Sequence, residues 1–461
     1  MTDLLRILTT GASSLAAQTA AAATASHNLE NANTPGYARQ RVNIEAMLPA
    51  DQVGNAYLGN GARATTVTQA RDRFFESQLP ALFGQASSSS AASTTLSSVH
   101  ALDPELSGGL GDALSGFYTA FRQLSQNPSD AGLRQSAVNA ARSLALSFNQ
   151  TRASLEDARS GVDQKLAADV SEANTLAQGV ASLNGQIRAA RASGAEPNDL
   201  LDARQKSVDR LAELTGASPV TTVEGDTSLF MAGGAPLVVS LQASTLSTQG
   251  DPLDAGHLSL RLNSGLVQSA VAPGGELGGL VAARDGALKD GVSAIDTLAL
   301  DLSGAVNTAH QAGVDLATGA SGEPLFTGTS ARDLAVNANI VADPRLLATR
   351  RATGGVGDAS NLTAADGILA TESLTLSTGL SADGALSSAT AAFGAATRTF
   401  SAQSDADTAL RDHLTTVRES VSGVSVDDEL VDLQKAQRAY QAISKVIQTS
   451  SDMFDTLLAL K

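Results

Sequence analysis

The chain contains no cysteine and no tryptophan, and aromatic residues make up only 3% of its 461 positions. Without cysteine, disulfides, zinc–thiolate sites and thiol nucleophiles are excluded. No stretch reaches the roughly 18 apolar residues of a membrane-spanning helix. The N-terminal segment lacks the basic region and the solid apolar block of a Sec signal peptide, so we expect any export to use another route.

Basic side chains are also scarce, and the formal net charge is −16. This excess of acid argues against a nucleic-acid or anionic-membrane partner. The apolar residues, 43% of the chain, are mostly Ala, Leu and Val. Small aliphatic side chains favour long, thin helical packing over a deep ligand pocket. The length allows roughly two or three domains with their own cores.

The residues give no support for a catalytic centre, a cofactor or a metal site. The histidines are scattered, without carboxylates at the spacing of metal ligands. They are His27, His100, His257, His310 and His413. The glycine clusters lack the Gly-Lys-Ser/Thr ending of a phosphate-binding loop, and there is no Gly-x-Ser-x-Gly nucleophile elbow. We therefore predict that the protein is not an enzyme and holds no cofactor.

Both ends of the chain carry apolar or small residues at alternating spacings of three and four, the pattern of a heptad seam. The N-terminal seam consists of Leu4, Leu8, Gly11, Leu15, Gln18, Ala22, Ala25 and Leu29. The C-terminal seam, which is richer in large side chains, consists of Leu433, Ala436, Tyr440, Ile443, Ile447, Ser450, Phe454 and Leu457. We predict that the two terminal helices pair as a coiled-coil-like inner layer.

The first helix is predicted to end within the stretch SHNLENANTPGYARQR. Thr34 precedes a proline and is therefore disfavoured in the α conformation. Pro35 and Gly36 fit the central positions of a type II turn, where glycine supplies the positive φ. Beyond the turn, Val42 and Ile44 alternate with polar residues, which indicates extended chain. The first helix should thus end here and continue as an arm.

Between the two ends, periodicity separates helical from β-favouring parts. Residues 71–215 look helical, with a soft joint at the serine-rich 87–95 and a long run typical of a rod-like bundle. Short β-favouring runs fill 217–272 and include a hairpin that begins with HLSLRL. Helical spacing returns at Glu276 and is followed by a glycine-rich irregular region.

We therefore predict a mainly α protein with a small β insertion, built as nested, discontinuous domains. The predicted segments are an inner helix and arm (1–70), a helical rod (71–216), a β insertion domain (217–272), the return of the rod (273–423) and a second inner helix (424–461). Because helical periodicity stops at Gly216 and resumes at Glu276, we expect the insertion to be replaceable by a linker.

The stretch at 26–41 resembles the N-terminal signature of the bacterial flagellar axial family, which comprises rod, hook and hook-associated proteins. The matching positions are Asn28, Asn31, Asn33, Thr34, Pro35, Gly36, Tyr37 and Arg39. The C-terminal GVSVDDELVDLQKAQRAYQAISKVIQTSSDMFDTLLAL is similar to the end of the hook-associated members. Its matching positions are Val424, Asp428, Glu429, Leu433, Gln437, Tyr440, Ala442, Lys445, Phe454, Leu457 and Leu458. Interior stretches such as LLDARQKSVDRLAEL agree, whereas 217–272 is not matched closely.

The resemblance implies terminal helices innermost, helical rods around them and the β insertion pointing outward. It also implies a ring of identical subunits at the distal end of the hook, joined to the filament through a second junction protein. Export through the flagellar type III apparatus is implied, with a cytoplasmic chaperone on the C-terminal helix. The residues expected to mediate assembly are Leu4, Leu8, Leu15, Leu29, Asn31, Asn33, Thr34, Pro35, Gly36, Tyr37, Leu433, Tyr440, Ile443, Ile447, Phe454 and Leu457.

Two alternatives remain open from the sequence. One is a different axial protein, either of the rod or of the hook. The long helical stretch at 98–215 argues against the hook protein. The other is a secreted coiled-coil adhesin or effector, whose loss would leave swimming intact.

Overall fold

The structure, a computed structural model, describes residues 2–34, 36–48, 51–53, 56–102, 108–265 and 267–459. The helices are α1 (Thr2–Glu30), α2 (Arg73–Ser97), α3 (Leu110–Gln126), α4 (Ala131–Ala192), α5 (Asn198–Thr215), α6 (Gly275–Ala283), α7 (Lys289–Gln311), α8 (Ala338–Ala342), α9 (Ser360–Thr363), α10 (Ala382–Ser422) and α11 (Val426–Ala459). A single π turn, Arg284–Leu288, joins α6 to α7.

The strands are short and antiparallel. They are β1 (Gln40–Ala46), β2 (Asp51–Val53), β3 (Ala56–Leu58), β4 (Ala62–Gln69), β5 (Ser218–Thr221), β6 (Thr227–Phe230), β7 (Pro236–Val239), β8 (Gln242–Ala243), β9 (Thr245–Gly250), β10 (Leu258–Ser264), β11 (Val267–Ala270), β12 (Phe326–Thr327) and β13 (Ala335–Val336). Their sheets have the orders β1-β4, β2-β3, β5-β6-β7-β8, β11-β10-β9 and β12-β13. The predicted fold class, mainly α with a small β insertion, is confirmed.

The two terminal helices, α1 and α11, lie side by side and are called the terminal pair below. They approach closely because a small residue faces a large one: a Cβ added at Gly11 would lie 2.7 Å from Cγ1 of Ile447. The predicted pairing of the chain ends is therefore present in the structure. The predicted arm is the β1–β4 hairpin, residues 40–69, and it runs back along α1, where the Ala62 amide donates to Oγ of Ser14 at 3.2 Å.

The rod is built around α4, which has 62 residues and is therefore about 93 Å long at ~1.5 Å per residue. The prediction of a soft joint at 87–95 is wrong, since α2 passes through this stretch without a break. The serines and alanines there are small enough for a close helix crossing, with Ala92 and Leu96 fully buried. At this crossing the backbone of Gly279 in α6 rests on the carbonyl of Ser88.

Gly279→Ala should therefore destabilise the rod, because the added Cβ would overlap the Ser88 carbonyl oxygen and neighbouring backbone atoms. We expect a loss of at least about 1–3 kcal/mol, the usual cost of overpacking a core. Gly304→Ala in α7 is the matched control, since nothing lies within 4 Å of its added Cβ, and it should gain up to about 1 kcal/mol in helix propensity. Urea unfolding of both variants measures the difference, and equal midpoints would contradict the close crossing.

The buried side chains that the structure describes in the β segment belong to a hydrophobic core shared with the rod. Leu229, Leu237 and Leu260 are buried in one cluster with Leu166, Val170 and other residues of α4, α5 and α6. Asn184 of α4 donates to the carbonyls of Thr227 and Ser240. The segment thus covers the half of α4 that is nearer the arm. The strands therefore pack against the rod, because this half of α4 carries an apolar stripe that needs cover.

The end of the rod far from the arm is made of α3, the first half of α4, the end of α7 and residues 313–376. Arg134, 1% exposed, holds this end by donating to the carbonyls of Pro128 and Leu347. His310 joins two chain segments, because Nδ1 lies 2.6 Å from the Glu323 carbonyl and Nε2 accepts from the Ala348 amide. Burial lowers the pKa of His310 to about 4, so the ring is neutral at pH 7.

No sequence pattern given above predicts the 41-residue helix α10. Its first half is rich in Ala, Ser, Gly and Thr, and only Ala382, Ala385, Leu386 and Phe393 are buried there. The buried and exposed sides of this half of the helix therefore differ little in hydrophobicity. A search for helical periodicity cannot distinguish it from the glycine-rich region before it. Ser381, whose side chain accepts from the amide of Gly384, marks its start.

Candidate assembly site at the paired termini

The signature stretch and the start of α11 meet at a buried asparagine, Asn28, which is 1% exposed. Its Nδ2 donates to the Gln40 carbonyl at 2.8 Å and to Oε2 of Glu429 at 3.0 Å. Its Oδ1 accepts from the Gln40 amide and the Tyr37 hydroxyl, both at 2.9 Å. An amide side chain offers two donors and two acceptor lone pairs, so every hydrogen-bonding position of Asn28 is filled. Neither Asp nor Leu could make this set.

Glu429, on the first turn of α11, is 3% exposed and is the residue that α11 contributes to this cluster. Besides Asn28 it binds Nε of Arg39 through Oε1, and Arg39 also reaches Oδ2 of Asp432 at 3.3 Å. The Arg39 amide donates to the Ser422 carbonyl at 2.9 Å, just before α11 begins. Asn28, Tyr37, Arg39, Gln40 and Glu429 together are called the lock. It fixes the start of α11 against the end of α1 and the base of the arm.

The turn that separates α1 from the arm places Tyr37 in the lock. The Tyr37 amide donates to the Thr34 carbonyl at 3.2 Å, and Gly36 has φ +81°, the positive φ predicted for it. Burial, helped by the carboxylates of Asp202, Asp199 and Glu429, raises the pKa of Tyr37. The phenol therefore stays neutral and donates its proton to Asn28.

A second polar contact fastens the base of the arm to the rod. Nδ2 of Asn198, at the start of α5, donates to the Val67 carbonyl at 2.7 Å, and the Asn198 carbonyl accepts from Gln69 at 3.0 Å. Arg71, in the connection between arm and α2, binds Asp202 of α5. These hydrogen bonds and this ion pair hold the base of the arm against α5.

Between these contacts lies a cavity of about 330 Å³, lined by the signature loop, the start of α2 and the end of α10. Asp209 of α5 faces it, and burial raises the pKa of that carboxyl to about 6. Among the described residues, no group of three or more His, Asp or Glu side chains is arranged to hold a metal ion. Within the same ranges, no helix is both long and apolar enough to cross a bilayer.

Besides Gly36 and Tyr37 at the turn and Tyr440 on α11, the predicted assembly residues fall into three groups. Leu8, Leu15, Leu29, Leu433, Ile443, Ile447 and Phe454 are half-buried along the α1–α11 seam. Asn31 caps the end of α1 through the His27 carbonyl, while Asn33 and Thr34 are exposed. Pro35 and the side chains of Leu4 and Leu457 lie outside the described residues.

Tyr440 departs from the prediction that it packs in the seam. It is 43% exposed, and the neighbouring Ala439 takes the half-buried position instead. From Ala436 to Ile443 the seam continues through position 439, a spacing of three and then four. A spacing of four and then three, through Tyr440, fits the same heptad pattern, so the sequence alone could not distinguish the two.

Four residues of the lock, Asn28, Arg39, Gln40 and Glu429, were not among the predicted assembly residues, although Asn28, Arg39 and Glu429 lie at positions that match the flagellar family. Glu429 reads in the sequence as one more acid at a helix start, where negative charge suits the helix dipole. Its partner Asn28 lies 401 positions away. When the partner of a buried carboxylate is so far away in the sequence, the residues around the carboxylate do not reveal that it is buried.

Known proteins resemble this chain over the rod as well as at the ends. Residues 96–326, half of the chain, match the family model described as "Flagellar hook-associated protein FlgK helical domain". The chain belongs to the FlgK family. Residues 419–460, which include α11, match the model described as "Flagellar basal body rod FlgEFG protein C-terminal". The prediction of a hook-associated member of the flagellar axial family is thereby confirmed.

Flagellar hook-associated protein 1 of Escherichia coli K12, a FlgK relative, is 29% identical over 367 residues, which cover 78% of this chain and 64% of that protein. The chain therefore spans less than two thirds of this relative. Flagellar hook-associated protein 1 of Bacillus subtilis 168 is 25% identical over 99% of this chain and 98% of that protein. The structure of the flagellar hook junction protein FlgK from Burkholderia pseudomallei is similar with a TM-score of 0.50 and 30% identity, over 54% of this chain and 46% of that one.

Proposed function

We propose that this protein is a structural, non-enzymatic component of the bacterial flagellum. It assembles as a ring at the distal end of the hook and joins the hook to the filament. Membership of the FlgK family supports this proposal, as does the similarity to a protein described as a flagellar hook junction protein.

The observation that carries the proposal is the lock. It ties the N-terminal signature to the C-terminal helix through two residues that are almost fully buried, Asn28 and Glu429. Both chain ends therefore form one unit, and the long rod extends from that unit. We propose that residues 1–70 and 424–461 form the inner layer of the assembly, and that 71–216, the β segment 217–272 and 273–423 form the layer around it.

The partners that fit this role are further copies of the chain, the hook protein and a second hook–filament junction protein. Exposed apolar residues on α11, among them Val446 and Met453, need cover before assembly. We therefore propose a cytoplasmic export chaperone on α11 and export through the flagellar type III apparatus. No nucleic acid or membrane is needed as a partner.

A second candidate is another axial protein of the rod or hook. The match of residues 419–460 to a model described for basal body rod proteins supports the axial class in general. The match of residues 96–326 to the hook-associated helical domain favours the junction role over this candidate.

The test is a deletion strain complemented with a tagged copy of this chain. We expect the deletion to yield hooks without attached filaments, filament protein in the medium, and no swimming. Immunogold labelling of intact flagella from the complemented strain should mark one band between hook and filament. Label along the rod or the whole hook would favour the second candidate, and normal swimming of the deletion strain would overturn the proposal.

A further inference from the structure

At the end of the rod far from the arm, three buried polar side chains converge on one stretch of backbone, residues 347–349. Arg134 of α4 donates to the carbonyl of its first residue. The middle residue, Ala348, donates its amide to His310 of α7 and accepts at its carbonyl from Asn361 of α9. Each of these hydrogen bonds is 2.9 Å long, and the three side chains are at most 1% exposed. Arg134, His310 and Asn361 are called the clasp below.

His310 is the member of the clasp whose side-chain type changes charge near neutral pH. Its Nδ1 donates to the Glu323 carbonyl at 2.6 Å, and its Nε2 accepts from the Ala348 amide. A neutral imidazole has one N–H and one lone pair, so it fits these two partners. A second proton would lie on Nε2 and face the N–H of Ala348, which would lose its acceptor. The ring has little room to turn, since a Cβ added at Gly322 would lie 2.8 Å from Nδ1.

Charged side chains on the surrounding segments do not favour a second proton on His310. The carboxylate of Asp315, 3% exposed, binds backbone and hydroxyl groups of its own loop. That of Glu323 binds two asparagine side chains that follow it. Burial therefore outweighs both carboxylates and lowers the pKa of His310 to about 4. α9 contributes the neutral Asn361, and the other charged groups near the clasp on α4 and 343–350 are Arg134, Asp343, Arg345 and Arg350.

We infer that the clasp releases residues 313–349 from the end of α7 when the surroundings become acidic. A doubly protonated His310 leaves the Ala348 amide without its acceptor and places a second cation beside the stretch that Arg134 already holds. Release uncovers apolar side chains of the rod core, among them Leu325, Phe326 and Ile340. The lock contains no histidine, so the terminal pair does not respond in the same way. The inference goes beyond the junction role and does not depend on it.

The direction of the pH dependence follows from the form of the ring that the fold binds. Because that form is neutral, the stability that His310 provides is complete above about pH 6.5 and is lost as the pH falls through about 4. Burial of Asp315 is outweighed by hydrogen bonds from Thr318 and Gly319, which lower the pKa of its carboxyl below the ordinary value. At about pH 4.5 this carboxylate is still ionised, so His310 can be tested separately from it.

Hydrogen exchange on the full-length soluble chain at about pH 7 and about pH 4.5, corrected for intrinsic exchange rates, tests the release. The opening constant of residues 313–349 should rise on the order of 50-fold between the two conditions, and that of α4 should rise much less. His310→Gln supplies an amide oxygen that can accept from Ala348 and does not titrate, so its ratio should fall to a few-fold at most. Since each variant is compared with itself, a lower starting stability does not affect the ratio. His413→Gln, at an exposed position, is the matched control and should keep the full ratio.

Nuclear magnetic resonance of the wild-type chain with ¹⁵N-labelled histidine needs no variant and follows the ring directly. His310 should keep a single proton, on Nδ1, down to about pH 5. A second proton on its ring at about pH 5.5 would overturn the inference. So would a rise in opening that His310→Gln retains, or one that is equal in α4 and in residues 313–349.

Discussion

Glu429→Ala should release the C-terminal helix and reduce the stability of the terminal pair by about 3–5 kcal/mol, the usual effect of removing one member of a buried ion pair. The substitution leaves the Arg39 guanidinium without its buried carboxylate and Nδ2 of Asn28 with one hydrogen bond fewer. The seam cannot offset such a loss, because α1 contributes mostly small side chains to it. Hydrogen exchange on the soluble chain should show fast exchange throughout α1 and α11, while α4 stays protected.

The matched control is Asp432→Ala, one turn further along α11. Asp432 contacts the same arginine, but its side chain is 48% exposed. Exposed ion pairs contribute about 0–1 kcal/mol, so exchange of the terminal helices should hardly change. If Glu429→Ala and Asp432→Ala had equal effects, or if neither altered exchange in α1, the lock would not be what holds the two ends together.

Local chemistry explains which parts of the fold could be predicted from the sequence. The end of α1 was predictable because proline and glycine restrict the backbone directly, and Gly36 has the expected positive φ. The pairing of α1 with α11 was predictable because both seams repeat at helical spacing. The path of the arm could not be predicted. The alternation at Val42 and Ile44 indicates a strand, but it does not identify the surface on which that strand packs.

The predictions that were wrong, a joint at 87–95 and Tyr440 in the seam, concern positions where tertiary packing decides the structure and local sequence does not. Serine-rich 87–95 suggested a joint, yet small side chains are what the close crossing of α2 and α6 requires at Ser88 and Gly279. Tyr440 fits a seam by spacing, whereas the structure leaves it 43% exposed and half-buries Ala439 instead. Within the site, Asn28 and Arg39 could be found through the flagellar signature, but the burial of Glu429 is a long-range property. Single-sequence periodicity carries no information about it.

Replacing residues 217–272 with a short Gly-Ser linker should prevent the rod from folding, contrary to the expectation from periodicity. The ends of the segment are adjacent: the Gly274 amide donates to the Thr215 carbonyl at 3.1 Å. A linker can therefore close the gap without strain, and any damage must come from the lost core. Leu229, Leu237, Val238, Leu246, Leu260 and Leu262 are each at most 4% exposed and pack in one cluster with α4.

Burying a large aliphatic side chain contributes about 1.5–3 kcal/mol, so removing this set would cost about 9–18 kcal/mol. That loss is as large as the whole stability of a typical domain, roughly 5–15 kcal/mol. Two buried arginines would lose partners as well, because Arg159 binds Asp254 and Arg284 donates to the Leu258 carbonyl. Circular dichroism and limited proteolysis of the purified variant should show loss of α4 and early cleavage within it.

Single substitutions separate loss of the core from a general intolerance to change in the segment. Leu229→Ala should lower the free energy of unfolding by about 2–5 kcal/mol, because Leu229 is fully buried. Val223→Ala and Leu253→Ala, at fully exposed positions in the same segment, should change it by less than about 0.5 kcal/mol. A linker variant that folds with α4 protected would show that the helices of the rod can bury their apolar stripe without the strands.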